Sequence, residues 1–224
     1  MPVPLVVWIH CEPGDRVSIA GLAALVGAVA ARGGHATIGL SPAYAAAVAP
    51  SLVASWAAAG HQIGAHHHGY FARDLPAGWD GYSDTGAAAV HPDTRGGMAD
   101  FANRLAGVGV FADVASVASA GFDWVASATH EVTGGAARSA PMPATHGTYL
   151  VTQITSAPLG VGQSATVAAH IASEVALCLP SQVVCVACHA HEISAGELGV
   201  VLDAAIAAGA VIVRAAQAIA EAAP

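Results

Sequence analysis

The chain contains no lysine. Its 224 residues carry seven arginines against fifteen acidic side chains, for a formal charge of −8 with histidine neutral. Those arginines are scattered rather than clustered, so the electrostatic footprint of a nucleic-acid binder is missing and nucleic acid is not an expected partner. Long apolar runs are lacking as well, although 55 % of the residues are apolar and only 10 % are charged. VASWAAAGHQIGA (53–65) and VVLDAAIAAGAVIV (200–213) are both broken by polar or charged residues. No uncharged, strongly apolar stretch reaches the roughly 18 residues of a membrane span, so no membrane partner is expected. The opening MPVPLVVWIH has no basic segment and turns polar within ten residues, unlike a secretory signal. The expected compartment is the cytoplasm. There the four cysteines, Cys11, Cys178, Cys185 and Cys188, are expected as small core side chains rather than disulfides.

What the chain does have is an alternation of strand-length apolar runs with longer helix-like segments. VPLVVWIHC, HATIGL, HQIGA, FDWVAS, TYLVTQIT, QVVCVACH and AVIVR are the expected strands. Helices are expected over 18–32, 44–59, 97–106, 166–177 and 195–208. Strands alternating with helices imply a parallel sheet covered by helices. About seven such units in one chain, with no linker or internal repeat, favour one domain over 1–224 and a closed or nearly closed (β/α) barrel. A doubly wound sheet is the alternative, but LGVGQS (159–164) does not supply its glycine fingerprint.

In a parallel barrel, chemistry collects where strands end and loops begin. Three polar spots fall at such ends: His10 and Glu12 after the first strand, His66 to His68 after HQIGA, and His189 and His191 after QVVCVAC. If 64–68 is extended, His66 and His68 point to one side and His67 to the other. Glu12 then completes a two-histidine, one-carboxylate set with an open position, a ligand set suited to catalytic zinc and to other divalent metals. A helical turn there would instead pair His66 with Tyr70. His35, His91, His130 and His170 are expected as ordinary hydrogen-bonded residues. In the loop that follows, Trp79, Asp80 and Tyr82 are candidate substrate contacts: aromatics can stack on a sugar ring while a carboxylate bonds hydroxyls. The same aromatics could equally pin the loop to itself. Arg95 and Arg138 are candidate anion contacts.

The stretch from His35 to Gly69 resembles the polysaccharide deacetylases with the NodB-homology domain. A helix running into Gly60-His61-Gln62-Ile63-Gly64-Ala65-His66 is similar to that family's Gly-His-Glu-Ile-Gly-x-His. QVVCVACHAHE, followed by a helix and GAVIVRAAQAI, resembles its last histidine strand and closing unit. The resemblance implies a distorted (β/α) barrel and metal-dependent hydrolysis of an acylamide on a saccharide or similar small substrate. It also implies that His66 is a metal ligand, that His189 is the acid protonating the leaving amine, and that Glu12 stands for the family's aspartate ligand. The chain departs from the pattern in three places. His10-Cys11-Glu12-Pro13 replaces the usual Asp-Asp, Tyr70 stands at the second histidine position, and an Arg-x-Pro segment is missing. With that aspartate base gone, His10 or Glu12 is left to take the proton from the attacking water.

Other patterns compete. Cys185-Val-Ala-Cys188-His189 matches the haem-attachment spacing. His10-Cys11-Glu12 with the later C-x-x-C resembles the split signature of the zinc nucleobase deaminases, at a separation of more than 170 residues. No G-x-S-x-G elbow is present for a serine hydrolase. The alternatives to a deacetylase are a catalytically degenerate metal-binding barrel and a zinc deaminase-type hydrolase.

Overall fold

The computed structural model describes residues 2–11, 17–40, 44, 47–65, 124–128, 137–139, 142–146 and 149–222. Their elements are β1 (Val3–Cys11), α1 (Ile19–Ala30), β2 (Thr37–Leu40), α2 (Pro50–Ala58), β3 (Gln62–Ala65), β4 (Trp124–Ala128), β5 (Arg138–Ser139), β6 (Met142–His146), β7 (Tyr149–Leu159), α3 (Ser164–Ala176), β8 (Val183–His189), α4 (Ala195–Ala207), β9 (Ala210–Val213) and α5 (Ala215–Ala222). The sheet runs β3-β2-β1-β8-β7-β4, and every pairing along that path is parallel. The chain therefore has an α/β fold with a parallel sheet. Among the described residues seven strands pair in parallel, and the short β5 and β6 add antiparallel to β8 and β7.

Strands buried on both faces show near-continuous apolar sequence rather than alternation. β1 and β8 are of this kind: Leu5 to Cys11 and Val183 to Cys188 are all buried. Alternate residues nevertheless belong to two separate cores. Leu5, Val7, Ile9 and Cys11 of β1 join Val184, Val186 and Cys188 of β8 in the larger cluster, with Leu22 and Leu25 of α1, Ile171 of α3 and Val201 of α4. Val6 and Trp8 join Cys185 and Ala187 on the other face, where Ala215, Ala218 and Ala222 of α5 cover them.

β1 has two partners in succession on one edge. β9 pairs with Val3–Val6, and β2 takes over at Trp8–Cys11. The change of partner is sealed by side chains. The first amides of α5 lack carbonyl partners within their own helix. Ala215 N–H donates to Thr37 Oγ1 at 2.9 Å, and Ala216 N–H donates to Gln62 Oε1 at 3.0 Å.

Two expected boundaries move. Pro50 is the first residue of α2, and Ala49 before it is extended at φ −63°, ψ 129°. A residue preceding proline is pushed out of the helical region, so the expected helix over 44–59 breaks and restarts at 50. The closing strand AVIVR is followed by the further helix α5. The expected helix at 97–106 lies outside the described residues. No helix among them is long and apolar enough to cross a membrane.

His61, inside the Gly-His stretch, is structural. It is buried, its Nδ1 accepts the Ala36 N–H at 2.9 Å, and its ring stands edge-on to His35 at 6.0 Å. Burial, and secondarily the neighbouring His35, holds its pKa below the usual 6.5. Below that value the unfolded chain binds a proton that the native state resists, so stability rises with pH there. The contribution is fully present above 6.5 and is lost as pH falls through the lower folded value. His61→Ala should cost about 1–3 kcal/mol at neutral pH by stranding a buried N–H. His61→Asn, which keeps an acceptor, should cost less and remove this part of the acid sensitivity. Urea titrations at pH 7.5 and 5.5 check both, and an unchanged pH slope in His61→Asn would refute the assignment.

Candidate active site

Strand register places His10 directly beside His189 at the C-terminal ends of β1 and β8. Paired residues of neighbouring parallel strands share a face, so both side chains lie on the face covered lower down by α5. Three rows build up that face. The first is Val213, Val6 and Cys185, wholly apolar. The second is Gln62, Thr37, Trp8 and Ala187, where Thr37 and Gln62 hold the start of α5. The third is Gly64, Gly39, His10 and His189. Polarity thus rises toward the C-terminal rim. In the last row the two histidines stand next to bare glycine backbone.

His10 is 1 % exposed and His189 is partly open, with 24 % of its side chain accessible. Their rings lie 5.2 Å apart between centroids at 79°, edge to face, and the Trp8 indole packs edge-on to His10 at 6.1 Å. The Ala190 N–H continues the ladder by donating to the His10 carbonyl at 2.9 Å. Beyond it the chain turns back on itself, with the Glu192 and Ile193 amides both donating to the His189 carbonyl. That turn brings the Glu192 carboxylate against two imidazoles, 3.1 Å from His189 Nδ1 and 3.3 Å from His191 Nε2.

The turn is held at both ends. Ile193 is buried in the main core. Ser194 caps α4, its Oγ accepting from Glu197 N–H while Glu197 Oε2 accepts from Ser194 N–H. Glu197 Oε1 also accepts from Gly162 N–H, and these bonds hold its carboxyl below the usual range. From the other side α1 presses in. A Cβ on Gly21 would lie 2.4 Å from the Ala190 carbonyl oxygen, so only glycine lets the helix approach so near the turn between His189 and His191.

Of the residues expected to act, His10 and His189 are brought together, with His191 next to His189. Glu12, His66 and His68 lie outside the described residues, as do Trp79, Asp80 and Tyr82. The strands preceding the first three end level: Cys11 is in register with Leu40, and Leu40 with Ala65. Among the described residues no group of three or more His, Cys, Asp or Glu could by itself hold a metal ion. Arg138 has protein partners of its own. Its guanidinium donates to the Leu177 carbonyl and lies 3.8 Å from Glu174, tying β5 to the end of α3.

The C-x-x-C pair is split by the pleat. Cys185 belongs to the α5 side and Cys188 to the main core, so the two sulfurs face opposite sides of the sheet and cannot close on one ion or one haem edge from this strand. None of the four cysteines is in a disulfide, and burial pushes the Cys188 thiol up to about 12. Glu192 is the site residue that sequence reasoning missed. Its signal was the i,i+3 spacing from His189 in HAHE. Gly39 and Gly64 were likewise missed as members of the histidine row, because register alone aligns them.

No family model and no curated protein matches the chain. Among solved structures, triosephosphate isomerase from Bartonella henselae is similar at a TM-score of 0.48 and 11 % identity, over 90 % of this chain and 98 % of that one.

Proposed function

We propose that this chain is a metal-dependent hydrolase that removes an acyl group, an acetyl in the simplest case, from an amide on a carbohydrate or similar small substrate. The parallel sheet would then be a distorted (β/α) barrel of the polysaccharide deacetylase type. The observation that carries this reading is the in-register pair of His10 and His189, 5.2 Å apart at the C-terminal rim, one buried and one open. Amide hydrolysis needs one group to take a proton from water and another to give a proton to nitrogen, because an unprotonated amine leaves poorly. Two neighbouring imidazoles of unequal exposure suit those two tasks.

In this scheme His10 accepts the proton of the attacking water while the oxygen bonds to the carbonyl carbon. His189, as the more accessible ring, gives its proton to the nitrogen as the C–N bond breaks and the electron pair departs with the amine. Between turnovers His10 gives up that proton and His189 regains one, so the cycle balances. Glu12, His66 and His68 are the residues that would hold a divalent metal, zinc being well suited to two imidazoles and a carboxylate. Such an ion, when bound, supplies polarisation of the carbonyl and acidification of water. The level ends of β1, β2 and β3 support this set, since the segments bearing the three residues start from one rim.

The test is release of free amine from a panel of neutral N-acetyl sugars, with zinc supplied and with chelator added. Release suppressed by chelator is the expected result. Release that chelator leaves untouched sinks the metal-dependent scheme. No release from any member, with metal firmly bound, would favour a catalytically degenerate barrel.

A further inference from the structure

We infer that Glu192 is a positioning residue: its carboxylate clamps His189 and His191 together and fixes which nitrogen of His189 exchanges protons. The inference deepens the hydrolase reading and rests on it for its consequence in turnover, though the clamp itself is a separate physical claim.

A carboxylate at neutral pH only accepts hydrogen bonds. Glu192 Oε2 at 3.1 Å from His189 Nδ1 therefore requires that nitrogen to carry its hydrogen. Oε1 lies 3.3 Å from His191 Nε2, an ion-pair distance when that ring is protonated. The two rings, 5.6 Å apart and tilted by 41°, flank one carboxyl group, which turns a different oxygen to each. With Nδ1 occupied, Nε2 is the nitrogen of His189 left to gain and lose a proton. The negative charge next to the ring also favours the imidazolium, the form a proton donor must hold before the amine leaves. The proton that reaches the substrate nitrogen comes from His189 Nε2.

Glu192 is free to serve two rings because the backbone bears the fold of the turn. The amides of 192 and 193 return to the His189 carbonyl, Ile193 is anchored in the core, and Ser194 with Glu197 caps the next helix. Its own side chain is 37 % exposed and contributes little packing. Among the described residues, the titratable groups facing His189 are His10 from β1 and His191 and Glu192 from the turn. Glu192 is the one anion in that set.

The test uses the full chain with isotopically labelled histidine. In the wild type, neutral His189 should show the Nδ1–H tautomer. In Glu192→Gln the tautomer should become mixed, and the proton affinity of His189 should fall about tenfold, the lower end of what an adjacent opposite charge confers, because the pair is partly solvated. Glu192→Asp should restore part of the loss, and His191→Asn, which keeps the carboxylate, should move the midpoint less than Glu192→Gln does. In kinetics, the alkaline limb of amine release should move down by the same one pH unit in Glu192→Gln. A His189 midpoint equal in wild type and Glu192→Gln, or an Nε2–H tautomer in the wild type, overturns the clamp. Absence of amine release from the wild type overturns the hydrolase reading instead, and the titration then decides the clamp alone.

Discussion

His189→Ala should lower amine release by about 10²–10⁴, the usual worth of a positioned proton donor, while leaving bound metal unchanged. The expectation follows from where the side chain stands. It ends an otherwise apolar strand, shares a face and a register position with buried His10, and keeps a quarter of its surface open. Removing it should change folding little, since the ring is at the rim and Ala187 and Cys185 below it are untouched. Turnover and metal content together give three distinguishable results. Loss of turnover with metal retained is the expected one. Loss of metal with the side chain would make His189 a ligand and His191 the donor. No change in either would refute the assignment of this rim as the active site.

Trp8→Ala should destabilise the protein by about 3–5 kcal/mol, the range for emptying a buried aromatic site. For a chain of this size that corresponds to a fall in Tm of about 6–20 °C. Trp8 is fully buried and is the largest member of the smaller core, to which α5 contributes buried Ala215, Ala218 and Ala222, with partly buried Ile219 packed against it. The three buried alanines have no length with which to fill the space left behind. The indole also backs His10 edge-on, so the cavity opens directly under the histidine row. Trp8→Phe, which keeps most of the volume, should lose far less. Thermal denaturation of the three proteins is the measurement. A loss under about 1 kcal/mol in Trp8→Ala would mean that the smaller face is not a packed core.

Much of this fold was legible because buried parallel strands have a plain signature. VPLVVWIHC and QVVCVACH are apolar without alternation, and both are central strands of the sheet. The helix expected over 195–208 is present over 195–207, and Ser194 with Glu197 closes a capping box at its start. β5 and β6 were not legible. They are short, and β6 contains Pro143, which local pattern counts against a strand although an antiparallel edge tolerates it.

At the site, sequence alone determined the chemistry on offer: histidines at strand ends, a carboxylate three residues beyond one of them, and no lysine to compete for the role of proton donor. Side-chain type and local alternation need nothing beyond the chain itself. The tertiary structure decided which of those groups meet. His10 and His189 are 179 positions apart and become neighbours only through the parallel register of β1 with β8. Cys185 and Cys188 are three positions apart and part company, because the pleat sends them to opposite faces. The turn that carries Glu192 onto both imidazoles depends on Ile193 in the core and on Gly21 of a distant helix. Proximity in a sheet is set by hydrogen-bond register between strands, which spacing along one chain does not encode.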